Sequence, residues 1–146
     1  HMSFSQKSQR YVKEKGQFDY LIPPTIERNP ELKAKFEEFM GQISEKYQEF
    51  VDAGIPAEDA RAVLPNATAS SMVASLNLRE MIHLANLRLC TRAQYEIRTM
   101  VKMMCDELVK SEPWLKDYLV PKCMRLGYCD EDKSCGRVPR KDELLK

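Results

Sequence analysis

The chain has 146 residues with 23 Lys and Arg against 22 Asp and Glu, a formal charge of +1, so no whole-molecule field selects nucleic acid or an anionic membrane surface. Hydrophobic content of 43% beside 31% charged residues suits a single domain over residues 1–146, and no apolar run approaches the ~20 residues a membrane span needs. The polar, basic start shows no secretory leader, which points to a cytoplasmic protein whose five cysteines are reduced, and the spacing of Cys123, Cys129 and Cys135 lacks the tight pair that opens a zinc site, so no metal is expected.

In chain order, Ser3-Phe4-Ser5-Gln6-Lys7-Ser8-Gln9-Arg10-Tyr11 gathers hydroxyls and a guanidinium as a phosphate-holding loop does. Residues 18–22 read as a short extended segment stopped by Pro23-Pro24. A long helix follows, with Asn29 as N-cap, Pro30 in the first turn and Gly54 past its end. Leu32, Phe36, Phe39, Ile43, Tyr47 and Phe50 recur on it at helical spacing, which predicts packing along its whole length against a core or another subunit.

Pro56 opens a short helical turn that Pro65 closes, holding Arg61 at a rigid corner. Residues 67–76 are small, hydroxylated and β-branched, as in a strand that feeds Asn77. The next helix carries Leu78, Met81, Ile82, Ala85 and Leu89 on one face and Arg79, His83 and Asn86 on another. That second stripe is either a solvated polar surface or a ligand-facing one. A break at Cys90-Thr91 leads into a helix over about 92–110, a shorter one over 111–120, and, beyond Pro121, a loop-rich tail (121–146) holding three cysteines and fraying from Arg137. The fold class expected is α+β, predominantly helical, with a long helix and central helices packed on a small sheet.

Several of these segments together carry a resemblance. Ala60-Arg61-Ala62-Val63-Leu64-Pro65, then Asn77-Leu78-Arg79, Leu84-x-x-Leu87-Arg88 and Ala93-Gln94-Tyr95-Glu96-Ile97-Arg98 resemble the C-terminal half of the flavin-dependent thymidylate synthases. The stretch from Ser3 to Tyr11 is similar to the second half of that family's signature Arg-His-Arg-x-x-Ser-x-Asn-Glu-x-Ser-x-Arg-Tyr, with Ser5 where Asn is expected and Gln6 where Glu is expected. The Arg-His-Arg triplet and the segment before it are not in the sequence, so the chain is expected to be a truncated subunit, weak or inactive alone.

The resemblance implies reductive methylation of dUMP to dTMP, with methylenetetrahydrofolate as carbon donor and NADPH reducing through FAD. It implies that Ser8, Arg10 and Arg61 hold the dUMP phosphate and that Arg88 lies against the uracil as the catalytic cation. It places Ser3, Asn77, Arg79 and His83 on FAD. It further implies a homotetramer with sites between subunits, so that Ser8 and Arg10 of one chain face Arg61 and Arg88 of another. A non-catalytic nucleotide-binding or assembly module on the same scaffold is the alternative.

Overall fold

Asn29 and Pro30 set the start of the longest helix by two separate means. The Asn29 side-chain oxygen accepts the N–H groups of Glu31 (3.1 Å) and Leu32 (3.2 Å), and the proline needs no such partner. The computed structural model of the protein describes residues 2–144. In chain order it comprises β1 (Met2–Gln6), α1 (Pro24–Glu27), α2 (Pro30–Asp52), α3 (Ala57–Ala60), β2 (Met72–Leu76), α4 (Leu78–Arg88), α5 (Tyr95–Ser111) and α6 (Lys122–Leu126). Tight 3-10 turns follow α3 at Arg61–Val63, follow α5 at Pro113–Asp117 and close the described chain at Lys141–Glu143. The strands β1 and β2 pair with each other, so the fold is α+β and dominated by helices, as expected.

The chain divides into two compact units, and the division crosses both strands: residues 1–3 with 75–146, and residues 4–74. In the second of these, α2 is the backbone of the packing. Its 23 residues span about 35 Å. Met40, Ser44 and Tyr47 are buried, and Phe36 joins Tyr20 and Phe18 in a run of ring contacts at 6.0 and 6.2 Å. Buried polar groups there find partners: the Tyr47 hydroxyl accepts the Glu14 N–H at 3.2 Å, and the Ser44 hydroxyl accepts the Phe18 N–H at 3.3 Å. The extended segment expected near residue 20 pairs with the stretch before β2 through an antiparallel bridge, Tyr20 to Thr68.

The apolar stripe of α2 does not bury along its whole length. Leu32, Phe39 and Phe50 remain 48%, 56% and 39% exposed. At 100° per residue these three fall within about 20° of each other and about 90° from the Met40–Ser44–Tyr47 line, so the periodic signal covered two adjacent faces and one of them is buried.

In the other unit the core is helix on helix. Met81 and Ala85 of α4, Val101 and Cys105 of α5, and Leu115 and Leu119 beyond it form one buried cluster, with Leu76 of β2 and Ile97 packed against it. Full burial of a side chain such as Val101 or Leu115 contributes about 1.5–3 kcal/mol. Helix α5 starts at Tyr95, later than the position near 92 that its apolar pattern suggests, because Gln94 takes the N-cap: its side chain accepts the N–H groups of Glu96 (3.0 Å) and Ile97 (3.1 Å).

Two further expectations are corrected. The polar stretch from residue 3 is a strand up to Gln6, and only residues 8–11 turn, the Ser8 carbonyl accepting the N–H groups of Tyr11 (3.2 Å) and Val12 (2.9 Å). The tail is not all loop, and its basic end is held: Pro121 caps α6, Gly127 closes it at φ 77°, and Cys129 bridges to Arg140. Proline was read as a stop where it marks a helix start.

The buried Tyr47 gives a stability test. Replacing Tyr47 with Phe strands the Glu14 N–H and is expected to cost about 1–3 kcal/mol in urea unfolding, and Tyr47→Ala about 3–5 kcal/mol, the difference being the cavity left behind.

Candidate functional site

Helix α3 and the turn after β1 shape a polar cavity of about 670 Å³ within residues 4–74. Ser8 and Arg61, expected on a phosphate but from different chains, instead line it together within one chain. Each is positioned by its own backbone. The Ser8 hydroxyl accepts the Arg10 N–H at 3.3 Å, which tightens the turn, and Pro56 starts the short helix that delivers Arg61. Arg61 Nε donates to the Glu58 carbonyl at 3.2 Å, and Glu58 Oε2 accepts from Arg10 Nε at 2.7 Å. Glu58, unnoticed in the sequence, therefore fixes both arginines.

Arg10 itself does not line this cavity. It is turned to Glu58, with its guanidinium 5.2 Å from the Tyr11 ring centroid. Lys7, which does line it, is neutralised by Glu14 at 2.6 Å, so Arg61 is the cation on the wall without a carboxylate partner among the described residues. Gln6, standing where the resemblance expects a carboxylate, donates through its amide to the Ser70 hydroxyl at 3.3 Å on the same wall.

A second cavity, of about 580 Å³, lies wholly within the other unit along one side of α4. Leu78, Ile82 and Leu87 give it an apolar lining, and Arg79 and His83 face it. The expected polar stripe is thus a cavity wall. Lys122 and Arg125 of α6 complete it, two cations one helical turn apart that a loop-like reading of the tail could not place. Asn86 lines it too. Its amide donates to the Ile82 carbonyl at 2.5 Å, and its buried side-chain oxygen has no partner among the described residues.

The remaining expected residues stand apart from this wall. Asn77 commits its side-chain oxygen to the Glu80 N–H at 2.9 Å as the N-cap of α4, Ser3 is exposed on β1, and Arg88 is exposed in the last turn of α4. Nine residues at 100° each put Arg88 about 180° from Arg79, so one helix face cannot present both. Among the described residues Arg79, Arg88 and Arg125 make no ion pair, leaving their charge available to an anion.

A family model described as thymidylate synthase complementing protein matches residues 1–114. The chain belongs to this family. It is 41% identical to the flavin-dependent thymidylate synthase of Nitratidesulfovibrio vulgaris, over 97% of this chain and 62% of that protein. The Pyrococcus abyssi enzyme of the same name is 41% identical over 88% of this chain and 56% of its own length, and that of Geobacter sulfurreducens 36% over 99% and 62%. The chain therefore spans about three fifths of the length of these relatives. Among solved structures, the UMP/dUMP methylase PolB from Streptomyces cacaoi, bound with 5-Br dUMP, superposes with a TM-score of 0.66 at 25% identity, over 75% of this chain and 58% of that one. A flavin-dependent family membership agrees with the resemblance in the motifs. No described helix is long and apolar enough to cross a membrane.

The second cavity has a built-in pH signature. The Lys122 ammonium donates to the Asp130 carboxylate, which holds Asp130 below the usual carboxylate range and raises Lys122 above its ordinary value. A depressed carboxylate stabilises the fold above its unfolded-state pKa and loses that effect as pH falls through the folded value, and the raised lysine loses its share as pH rises through its own. The melting-temperature difference between the natural chain and Asp130→Asn is expected to be largest near neutral pH and to shrink at both acid and alkaline extremes, small throughout because the pair is exposed.

Proposed function

We propose that this chain forms the nucleotide and flavin side of a flavin-dependent thymidylate synthase, acting in the reductive methylation of dUMP to dTMP. The observation that carries the reading is the sorting of motif residues into two cavities of different chemistry: Ser8 and Arg61 on a polar one, Arg79 and His83 on a cationic one with apolar walls. A phosphate needs hydroxyl and guanidinium donors, and each charge-assisted hydrogen bond is worth about 1.5–3 kcal/mol. Arg10 would join them by leaving Glu58, since an exposed ion pair is worth only about 0–1 kcal/mol.

The second cavity fits an aromatic ring system carrying a diphosphate. Leu78, Ile82 and Leu87 suit the ring, and Arg79 and Arg125 suit the phosphates, with Lys122 joining them only by leaving Asp130. FAD bound there would supply the hydride drawn from NADPH, with methylenetetrahydrofolate giving the carbon. The chain's own part is binding and charge. Arg79 and His83 hold the flavin, joined by Ser3 and by Asn77 at the start of α4. Arg88 lies against the uracil and stabilises negative charge on its carbonyl oxygens as hydride arrives. The protein works in the cytoplasm as a homotetramer, and the exposed Leu32, Phe39 and Phe50 of α2 support association between copies. Gln6, an amide engaged by Ser70, favours the second reading, a module that binds the nucleotide without performing the chemistry.

Calorimetry with dUMP tests the first cavity: Ser8→Ala and Arg61→Ala are each expected to weaken binding about 10- to 100-fold, from the loss of one charge-assisted bond. Flavin tests the second, since Arg79→Ala should purify with less FAD while dUMP affinity is unchanged. Retained flavin with lost nucleotide binding would reverse the two assignments. Light scattering on Phe39→Lys is expected to show smaller assemblies, because a charge on the α2 stripe opposes its burial.

A further inference from the structure

Four of the five cysteines, Cys90, Cys123, Cys129 and Cys135, line one cavity of about 160 Å³ in the unit that holds α4 to α6. All are free thiols, and the proposed methylation uses none of them. Two of the four sit on segments laced directly to each other. Arg92 Nη1 donates to the Lys133 carbonyl at 3.5 Å, and Arg92 Nε lies 3.7 Å from a Glu131 carboxylate oxygen. Cys90, two residues before Arg92, and Cys135, two residues after Lys133, both face the cavity that this lacing borders.

The four thiols differ in readiness. Cys135 is exposed on a turn that Gly136, at φ 78°, completes. The Thr91 hydroxyl, and then the Arg137 N–H, hold its thiol below the ordinary value and favour the thiolate, whereas burial raises the Cys123 and Cys105 thiols. Cys129 is buried and pinned on both sides, its N–H donating to the Pro139 carbonyl at 2.8 Å and its own carbonyl accepting from Lys141 at 3.3 Å. Cys123 is held in α6, its carbonyl accepting the Gly127 N–H at 2.9 Å. Cys90, in the bend after α4, belongs to no helix. Among the described residues no three cysteine, histidine or acidic side chains are gathered closely enough to ligate a metal ion.

We infer that Cys90 and Cys135 form a reversible dithiol site that a hydroperoxide oxidises to a disulfide. The Cys135 thiolate attacks the peroxide: an S–O bond forms, the O–O bond breaks and the departing oxygen leaves as alcohol or water, so the sulfur is oxidised to a sulfenic acid and the peroxide reduced. The Cys90 thiol then gives up its proton as its sulfur attacks that sulfenic sulfur. The S–S bond forms, the S–O bond breaks, and the hydroxide released takes up the Cys90 proton as water. A small-molecule dithiol reverses the bond by exchange.

The full reduced chain, treated with one equivalent of hydrogen peroxide and digested without reductant, tests this. Mass mapping is expected to link the Cys90 and Cys135 peptides with loss of two hydrogens, and dithiothreitol to restore both thiols. Cys135→Ser should abolish the link entirely, and Cys90→Ser should leave a sulfenic acid at Cys135 that dimedone tags. Circular dichroism confirms that both variants fold, and the mapping of the natural chain stands without them. A Cys123–Cys129 link with the Cys135 thiol intact would overturn the assignment. So would oxidation of Cys135 no faster than buried Cys105, or a tightly held zinc ion that shields all four thiols.

Discussion

The burial of Met81 and Ala85 sets the roll of α4, and the rest of the cationic site follows from it. Both side chains must point into the cluster with Val101, Cys105, Leu115 and Leu119. Once they do, the helical repeat turns Arg79 and His83 to the other side, and with Leu78 and Ile82 on the flank between they wall the 580 Å³ cavity. The same roll carries Arg88 around to the far side. A hydrophobic constraint worth a few kcal/mol per side chain thus decides which cations share a cavity wall, with no electrostatic term needed.

In the other cavity the organising group is an acid. Glu58 accepts from Arg61 with its backbone and from Arg10 with its carboxylate. The two contacts differ in strength of hold. The first is a bond to a fixed carbonyl at the end of a short helix, and it keeps Arg61 on the wall. The second is a solvent-exposed ion pair that a dianion can displace. One arginine is preorganised and one is held in reserve, an arrangement suited to a phosphate that must bind and leave.

Much of the fold was legible in local signals. Asn29-Pro30 and Gly54 bounded α2, Pro56 and Pro65 framed Arg61, and the uncharged run before Asn77 became β2, because caps, prolines and strand-forming residues act over four or five positions. The motif residues of the site were legible for a similar reason, since Arg61, Arg79 and His83 sit on elements whose local geometry their neighbours dictate. Less legible was anything that needed two distant segments. Glu58 meets Arg10 across 48 positions, which no local signal shows. Asn86, read as part of a polar stripe, is buried, and its side-chain oxygen has no partner among the described residues. Lys122 and Arg125 were hidden in a tail whose proline read as a breaker.

By itself, then, the sequence determined the long helix and its cap, the central helices to within a few residues, the family and the identities of the cations, since these depend on short-range propensity and on motifs with fixed spacing. Tertiary structure alone decided which face of α2 is buried, which wall each arginine occupies, and that Cys90 and Cys135 line one cavity. Helical periodicity measures how wide an apolar stripe is; the partner that covers it is set by packing. Spacing along the chain likewise says nothing of whether residues 90 and 135 share a cavity, which the contacts of Arg92 with Glu131 and Lys133 help to close.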